Sequence, residues 1–185
     1  MSSEKFIFQT KTKTGQTVSF RYPTIADAQI LMNYINKLSA EKSFILFQGE
    51  QQTLKREKKW LQEKIKAIKK NKAVFVLAFI NENLIGLSDV ELQPMAKNHV
   101  GDFGITVAQK YRGKGIGKIL MDLIISQAIK KIKKLKIITL ECFATNDIGL
   151  GLYKKMGFIE YGRLTQGLKR RGKFCDSILM YKKIK

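Results

Sequence analysis

Apolar and polar positions along this chain change their period several times, and each change marks an element. Two short β-like runs open it, Phe6–Thr10 and Thr17–Tyr22, joined by a Lys/Thr/Gly turn. "TIADAQILMNYINKL" follows with helical apolar spacing, and Thr24 and Asp27 stand at capping-box distance, Asp replacing the usual Glu or Gln. A second helix is expected from about Thr53 to Lys70, with Trp60, Leu61, Ile65 and Ile68 on one face. Val74–Ile80 and Leu84–Leu92, separated by "NEN", predict a hairpin, and Val100–Val107 a further strand. A Gly-rich turn then leads into a helix carrying Ile116, Ile119, Leu120, Leu123, Ile124, Ala128 and Ile132.

Ile137–Phe143 returns as a strand, so Val100–Phe143 is predicted to be a right-handed, parallel βαβ unit. A short helix near Asp147–Met156 precedes two last strands, near Ile159–Arg163 and Phe174–Tyr181. The order predicts a mixed α/β sheet whose clear parallel crossover lies at the Gly-rich turn. With 185 residues, two prolines and no low-complexity linker, one domain over 1–185 is expected.

Composition narrows the setting. Hydrophobic residues make up 44%, which excludes a disordered chain despite the charge. Lys plus Arg number 35 against 15 acidic residues, a formal charge of 35 − 15 = +20. Such a field attracts polyanions, so a ribosome, nucleic acid or another acidic partner enters as an expectation. The lysines are spread along the whole chain, which equally fits a compositional habit. Cys142 and Cys175 form no CxxC and His99 is the sole histidine, so neither a disulfide framework nor a structural zinc site can be assembled. "MSSEKFIFQTKTKTG" lacks the apolar core of a leader, and the longest apolar run, Ala73–Ile80, is too short to span a bilayer. A soluble cytoplasmic protein with no membrane or metal role, monomeric or homodimeric, is the expectation.

The stretch "YRGKGIGK", Tyr111–Lys118, carries the chemistry. A Walker loop would need Gly at position 112 and a hydroxyl at 119, where Arg112 and Ile119 stand. A G-x-G-x-x-G dinucleotide loop fails as well, reaching Lys118 or Leu120 at its last position. R-x-x-G-x-G, from Arg112, Gly115 and Gly117, does fit. Missing side chains let the amides of Gly113, Lys114, Gly115, Ile116, Gly117 and Lys118 approach an anion at the positive end of the next helix. Arg112, Lys114 and Lys118 can add charge-assisted contacts. Glycines that merely ease a strand-to-helix turn are the competing reading.

"GITVAQKYRGKGIGKILMDLII" resembles the acetyl-CoA-binding motif of the GNAT superfamily of N-acetyltransferases, and Leu140–Phe158, "LECFATNDIGLGLYKKMGF", resembles its "N…LY…GF" segment. The likeness covers about Val74–Tyr181. It implies a mixed, mostly antiparallel sheet of about seven strands with a central splayed parallel pair, flanked by about four helices. It further implies acetyl-CoA as cosubstrate, its pyrophosphate on the Gly-rich turn and its pantetheine along Ile105, Thr106 and Val107, the Val107 amide receiving the oxyanion. Tyr153 then stands where the family places a tyrosine facing the coenzyme sulfur, although a core aromatic also fits. Asn146 caps its helix, touches the pantetheine, or both. Gly149 and Gly151 depart from the alanines usual there and weaken that helix by propensity.

For the base, Glu141 in "LECF" resembles the glutamate of the "LEVR" segment in bacterial ribosomal-protein alanine N-acetyltransferases. Strand alternation puts it on one face with Thr139 and Phe143, a face either cleft-lining or solvated. His99 and Asp102 are rivals, and a water relay remains open. In the closing hairpin, Asp176 suits an amine, and Arg170 and Arg171 an acidic acceptor, unless these are solvated loop charges. The function implied is acetyl transfer to a primary amine through a ternary complex. The alternative is a basic ribosome- or nucleic-acid-binding module that keeps the fold without the catalysis.

Overall fold

The computed structural model describes residues 6–12 and 15–184. Lys13 and Thr14 of the first turn, and residues 1–5, lie outside the described residues. Eight strands form one sheet: β1 (Phe6–Lys11), β2 (Thr17–Arg21), β3 (Ala73–Ile80), β4 (Asn83–Leu92), β5 (Val100–Val107), β6 (Ile137–Phe143), β7 (Ile159–Arg170) and β8 (Lys173–Lys183). Their spatial order is β1-β2-β3-β4-β5-β6-β8-β7. Every neighbouring pair is antiparallel except β5 with β6. Four α-helices complete the fold: α1 (Ala28–Ala40), α2 (Leu54–Lys69), α3 (Ile116–Lys131) and α4 (Asp147–Lys155). The eight strands are those that the apolar pattern marks, where the resemblance implied about seven, and the last hairpin runs longer than its pattern. Many of the extra β7 residues are exposed, so periodicity gives them no mark.

β3 shows how the two layers are built. All eight of its residues are buried. Val74, Val76, Ala78 and Ile80 join the cluster that holds Leu120, Met121 and Ile124 of α3, while Phe75, Leu77 and Phe79 join Leu31 and Leu38 of α1 and Leu61 of α2. A continuous apolar run is what a strand covered on both faces requires. At the crossover, an added Cβ on Gly101 would lie 2.7 Å from Val90 Cγ1 and 2.9 Å from Leu135 Cδ1, so this glycine lets β5 lie close beneath the chain leaving α3.

Helix α2 turns Leu61, Ile65 and Ile68 of its expected face to the core, and departs from it at Trp60 and in burying two charged residues besides. Trp60 is 42% exposed, its ring edge meeting Phe75, while Glu57, Leu61 and Lys64 are the buried residues. The cause lies across the sheet: Lys64 Nζ sits between Asp89 Oδ2 at 2.7 Å and Glu91 Oε2 at 2.5 Å. Burial alone would discharge this lysine, but the two carboxylates outweigh it and hold its pKa above the ordinary value.

The capping residues at the head of α1 are in place. Thr24 N–H donates to Asp27 Oδ2 at 2.6 Å, and Arg21 grips both carboxylate oxygens at 2.5 and 2.8 Å. Burial pushes the Asp27 carboxyl upward, but Arg21 and the Thr24 amide outweigh it, and the net shift is downward from 3.8. A carboxyl depressed in the folded state contributes stability above its unfolded pKa, which is lost as pH falls through the folded value. Asp27→Asn should therefore cost about 1–2 kcal/mol at pH 7. Thermal unfolding should show this difference closing as pH falls below about 4; a constant offset down the acid limb would assign Asp27 a purely steric role.

Candidate active site

Two features make the site: a pair of strands that part, and a turn that leaves its amides free. β5 and β6 pair only at Val100–Ile137, Gly101–Ile138 and Asp102–Thr139, whereas β4 follows β5 all the way to Val107. Ala108 N–H donates to Ile85 O on the β4 side. By strand alternation the amides of Ile105 and Val107 point the other way, into the gap that opens toward β6. The splay implied by the sequence is therefore present, with Ile105, Thr106 and Val107 along its edge. Thr106 faces α1, its hydroxyl 3.0 Å from that of Tyr34.

The turn following β5 is built on two left-handed glycines, Gly113 (φ +75°) and Gly115 (φ +82°), with no atom within 4 Å of an added Cβ at either. Such φ values cost an L-residue about 1–2 kcal/mol. Among the described residues, the amides of 113, 114, 115, 116 and 117 have no acceptor, while Lys118 and Ile119 donate to Gly115 O. Five consecutive free donors at the head of a 16-residue helix form an anion-binding nest. The basic side chains expected to assist are engaged elsewhere. Arg112 donates through Nε to Val107 O and through a terminal nitrogen to Glu41 Oε2, each at 2.8 Å. Lys118 pairs with Asp122 at 2.7 Å, and Lys114 lies over the Tyr111 ring. Arg112 here braces the turn; the backbone supplies the nest.

Tyr153 on α4 lies over the opening of the splay. Its ring meets Phe103 of β5 edge-on and packs against Phe158. Only 9% of the residue is exposed, and its hydroxyl has no hydrogen-bond partner among the described residues. Burial raises its pKa above the ordinary 10, and Cys142 of β6 adds to the shift, so the phenol stays protonated. Burial likewise pushes the Cys142 thiol up to about 11, against the influence of Asn146. A thiol so raised is a poor nucleophile at neutral pH. Asn146 caps α4, its Oδ1 accepting Gly149 N–H at 3.0 Å. An added Cβ at Gly149 would lie 2.5 Å from Asn146 Nδ2, which accounts for the departure from alanine at that position.

On the opposite face of the sheet, Asp102, Thr139 and Glu141 line a cleft of about 480 Å³ whose walls include Phe44, Phe143 and Leu179. Glu141 Oε1 accepts from the buried Ser177 hydroxyl, and Asp102 Oδ1 accepts from Gln93 at 2.6 Å and Thr139 at 2.8 Å. The face shared by Thr139, Glu141 and Phe143 is thus cleft-lining. His99 stands apart, exposed in the turn ahead of β5 and held through its backbone carbonyl by Lys136. Asp176 is tied to Arg163 and to the Gln166 amide. Arg170 and Arg171 clasp the segment after α1: Arg170 donates to Lys42 O and lies 3.9 Å from the Phe44 ring centroid, while Arg171 donates to Glu41 O. Sequence reasoning missed Asp89 and Glu91. Their signal was two acids at strand spacing in "SDVEL", which places both on the face carrying Asp102.

A model of the acetyltransferase (GNAT) family matches residues 35–158. An L-amino acid N-acetyltransferase, AaaT, of Escherichia coli (strain K12) is 27% identical over 106 residues, 57% of this chain and 65% of that protein. The match therefore spans just under two thirds of that relative. A GNAT-family acetyltransferase structure from Streptococcus pneumoniae superposes with TM-score 0.82 at 26% identity, covering 90% of this chain and 99% of that one. The ribosomal-protein-alanine N-acetyltransferase of Brucella melitensis shares the fold, with TM-score 0.78 at 23% identity, covering 89% of this chain and 99% of its own. Parted strands, free amide nest and family model agree: the chain belongs to the acetyltransferase (GNAT) family.

Proposed function

We propose that this protein is an acetyl-CoA-dependent N-acetyltransferase, acting as one domain, that moves an acetyl group to a primary amine within a ternary complex. The observation that carries this reading is the run of unpaired amides at residues 113–117, with the unpaired edge of β5 upstream leading back toward Tyr153. The coenzyme pyrophosphate takes the nest, and the pantetheine runs along the unpaired β5 edge at Ile105–Val107, where the Val107 carbonyl is held by Arg112 and its amide stays free for the thioester oxygen. The thioester then lies in the splay. Main-chain donors hold a phosphate without a metal ion, and their preorganisation makes them effective.

The amine nitrogen attacks the thioester carbonyl from the cleft side. A C–N bond forms, the C–S bond breaks, and the Val107 amide takes the charge on the oxygen meanwhile. Glu141 lines the cleft and takes the amine proton directly or through water, with Asp102 beside it. His99, outside the cleft, has no part. Tyr153 donates its proton to the departing thiolate; burial keeps the phenol protonated, and the charge developing on a desolvated sulfur drives the transfer. The similar proteins, one an L-amino acid and one a ribosomal-protein-alanine N-acetyltransferase, support small amines and protein N-termini as the classes to test.

Thiol release from acetyl-CoA across an amine panel is the direct test, and absence of both coenzyme binding and turnover would sink the reading. Tyr153→Phe should lower kcat by about 10²–10⁴-fold while calorimetric acetyl-CoA affinity changes little. In the wild type, kcat/KM should rise as the amine deprotonates and show no falling limb below pH 10, because the raised phenol has not yet ionised. Gly115→Ala should cost about 1–2 kcal/mol of stability by forcing φ +82° on an L-residue. It should also weaken coenzyme binding; unchanged affinity would move the pyrophosphate away from this turn.

A further inference from the structure

Granted the acetyl transfer proposed above, the amines that can reach the carbonyl are decided by the cleft on the far face. Its lining is at odds with the rest of the molecule. Lys and Arg make up 35 of 185 residues, yet neither occurs among the cleft-lining side chains, while Asp102 and Glu141 do. The nearby buried cation, Lys64, is already held between Asp89 and Glu91. Arg163 is paired with Asp176 and Glu160, and Arg170 is bound to the Lys42 carbonyl. Gln93 and Thr139 add two neutral polar groups, both bonded to Asp102, and most of the remaining wall is apolar or aromatic, with Phe44, Phe143, Tyr161, Leu168 and Leu179. Leu46 and Leu164 continue that character outward, 72% and 61% exposed.

We propose that the acceptor is a primary amine bearing an apolar side chain and no carboxylate beside the nitrogen. The ammonium is drawn to Asp102 and Glu141, and the side chain lies against the aromatic and aliphatic wall. A free α-carboxylate would meet two like charges and no cation among the lining side chains, a repulsion acting over a few ångströms. The cleft therefore selects against zwitterionic amino acids. It accepts the same side chain when the carboxylate is absent or locked in an amide bond, as in an aralkylamine or the first residue of a peptide.

Phenylalanine and 2-phenylethylamine separate these cases. The second lacks the carboxylate, and its amine is at least as basic, so a preference for it is not a protonation effect. Turnover with acetyl-CoA should favour 2-phenylethylamine by tenfold or more in kcat/KM, and spermidine should rank below both for want of an apolar group. A C-terminally amidated Phe-Ala-Ala peptide tells small amines from peptides: activity equal to or above that of 2-phenylethylamine assigns the peptide source, and lower activity the small-amine source. Leu168→Arg, which adds a cation at the cleft wall away from the splay, should move the preference toward phenylalanine by several-fold. Calorimetric binding of the same amines to the coenzyme-A-loaded protein gives the comparison without turnover. Failure of every amine to be acetylated would therefore count against acetyl transfer, while the binding ratio still decides selectivity. Phenylalanine binding and reacting as well as 2-phenylethylamine would overturn the proposal.

Discussion

The separation of β5 from β6 after Asp102 and Thr139 is the constraint from which the rest follows. A parallel pair that breaks inside a sheet leaves backbone donors and acceptors without partners, and buried backbone groups do not stay unpaired without cost. The fold accepts this because β4 holds β5 to Val107 and β8 holds β6 along all seven of its residues. Each parting strand is thus secured on its outer side. The opening is a rigid slot with a hydrogen-bonding edge, and both α4 and the glycine turn are disposed about it.

Much of this was legible because it is local. The apolar run of β3, the capping aspartate of α1 and the turn-plus-helix at Tyr111–Lys118 are each written within a few residues, and the structure follows them closely. Less legible was whatever depends on a partner distant in sequence. The burial of Lys64 in α2 makes sense only beside Asp89 and Glu91, which lie 25 and 27 positions onward. The role of Arg112 depends on Glu41, and the extent of β7 on its pairing with β8 rather than on any periodicity of its own. Glu141 was half legible: alternation gave its companions on the strand, but whether their shared face met solvent or a cleft depended on Phe44 and its neighbours.

Charge follows the same division. A net +20 describes the whole chain, yet the cleft face of the sheet carries three carboxylates, Asp89, Glu91 and Asp102, at strand spacing on two adjacent strands, against the cation Lys64. Average charge is a statement about long-range attraction; selectivity is settled over a few ångströms, where a single carboxylate outweighs many distant lysines screened by salt. The two operate at different distances and need not share a sign.

Glu41 connects the two halves of the site. Its carboxylate receives Arg112 from the turn beside the amide nest, and its backbone carbonyl receives Arg171 from the hairpin tip beside the cleft. One residue at the end of α1 is thus a common anchor for the turn that holds the amide nest and for the tip of the last hairpin. Any displacement of one loop that alters this anchor changes the free energy of the other by an equal amount in either direction, as linkage requires. The energetic coupling between the two loops then becomes a property of one helix terminus rather than of either loop.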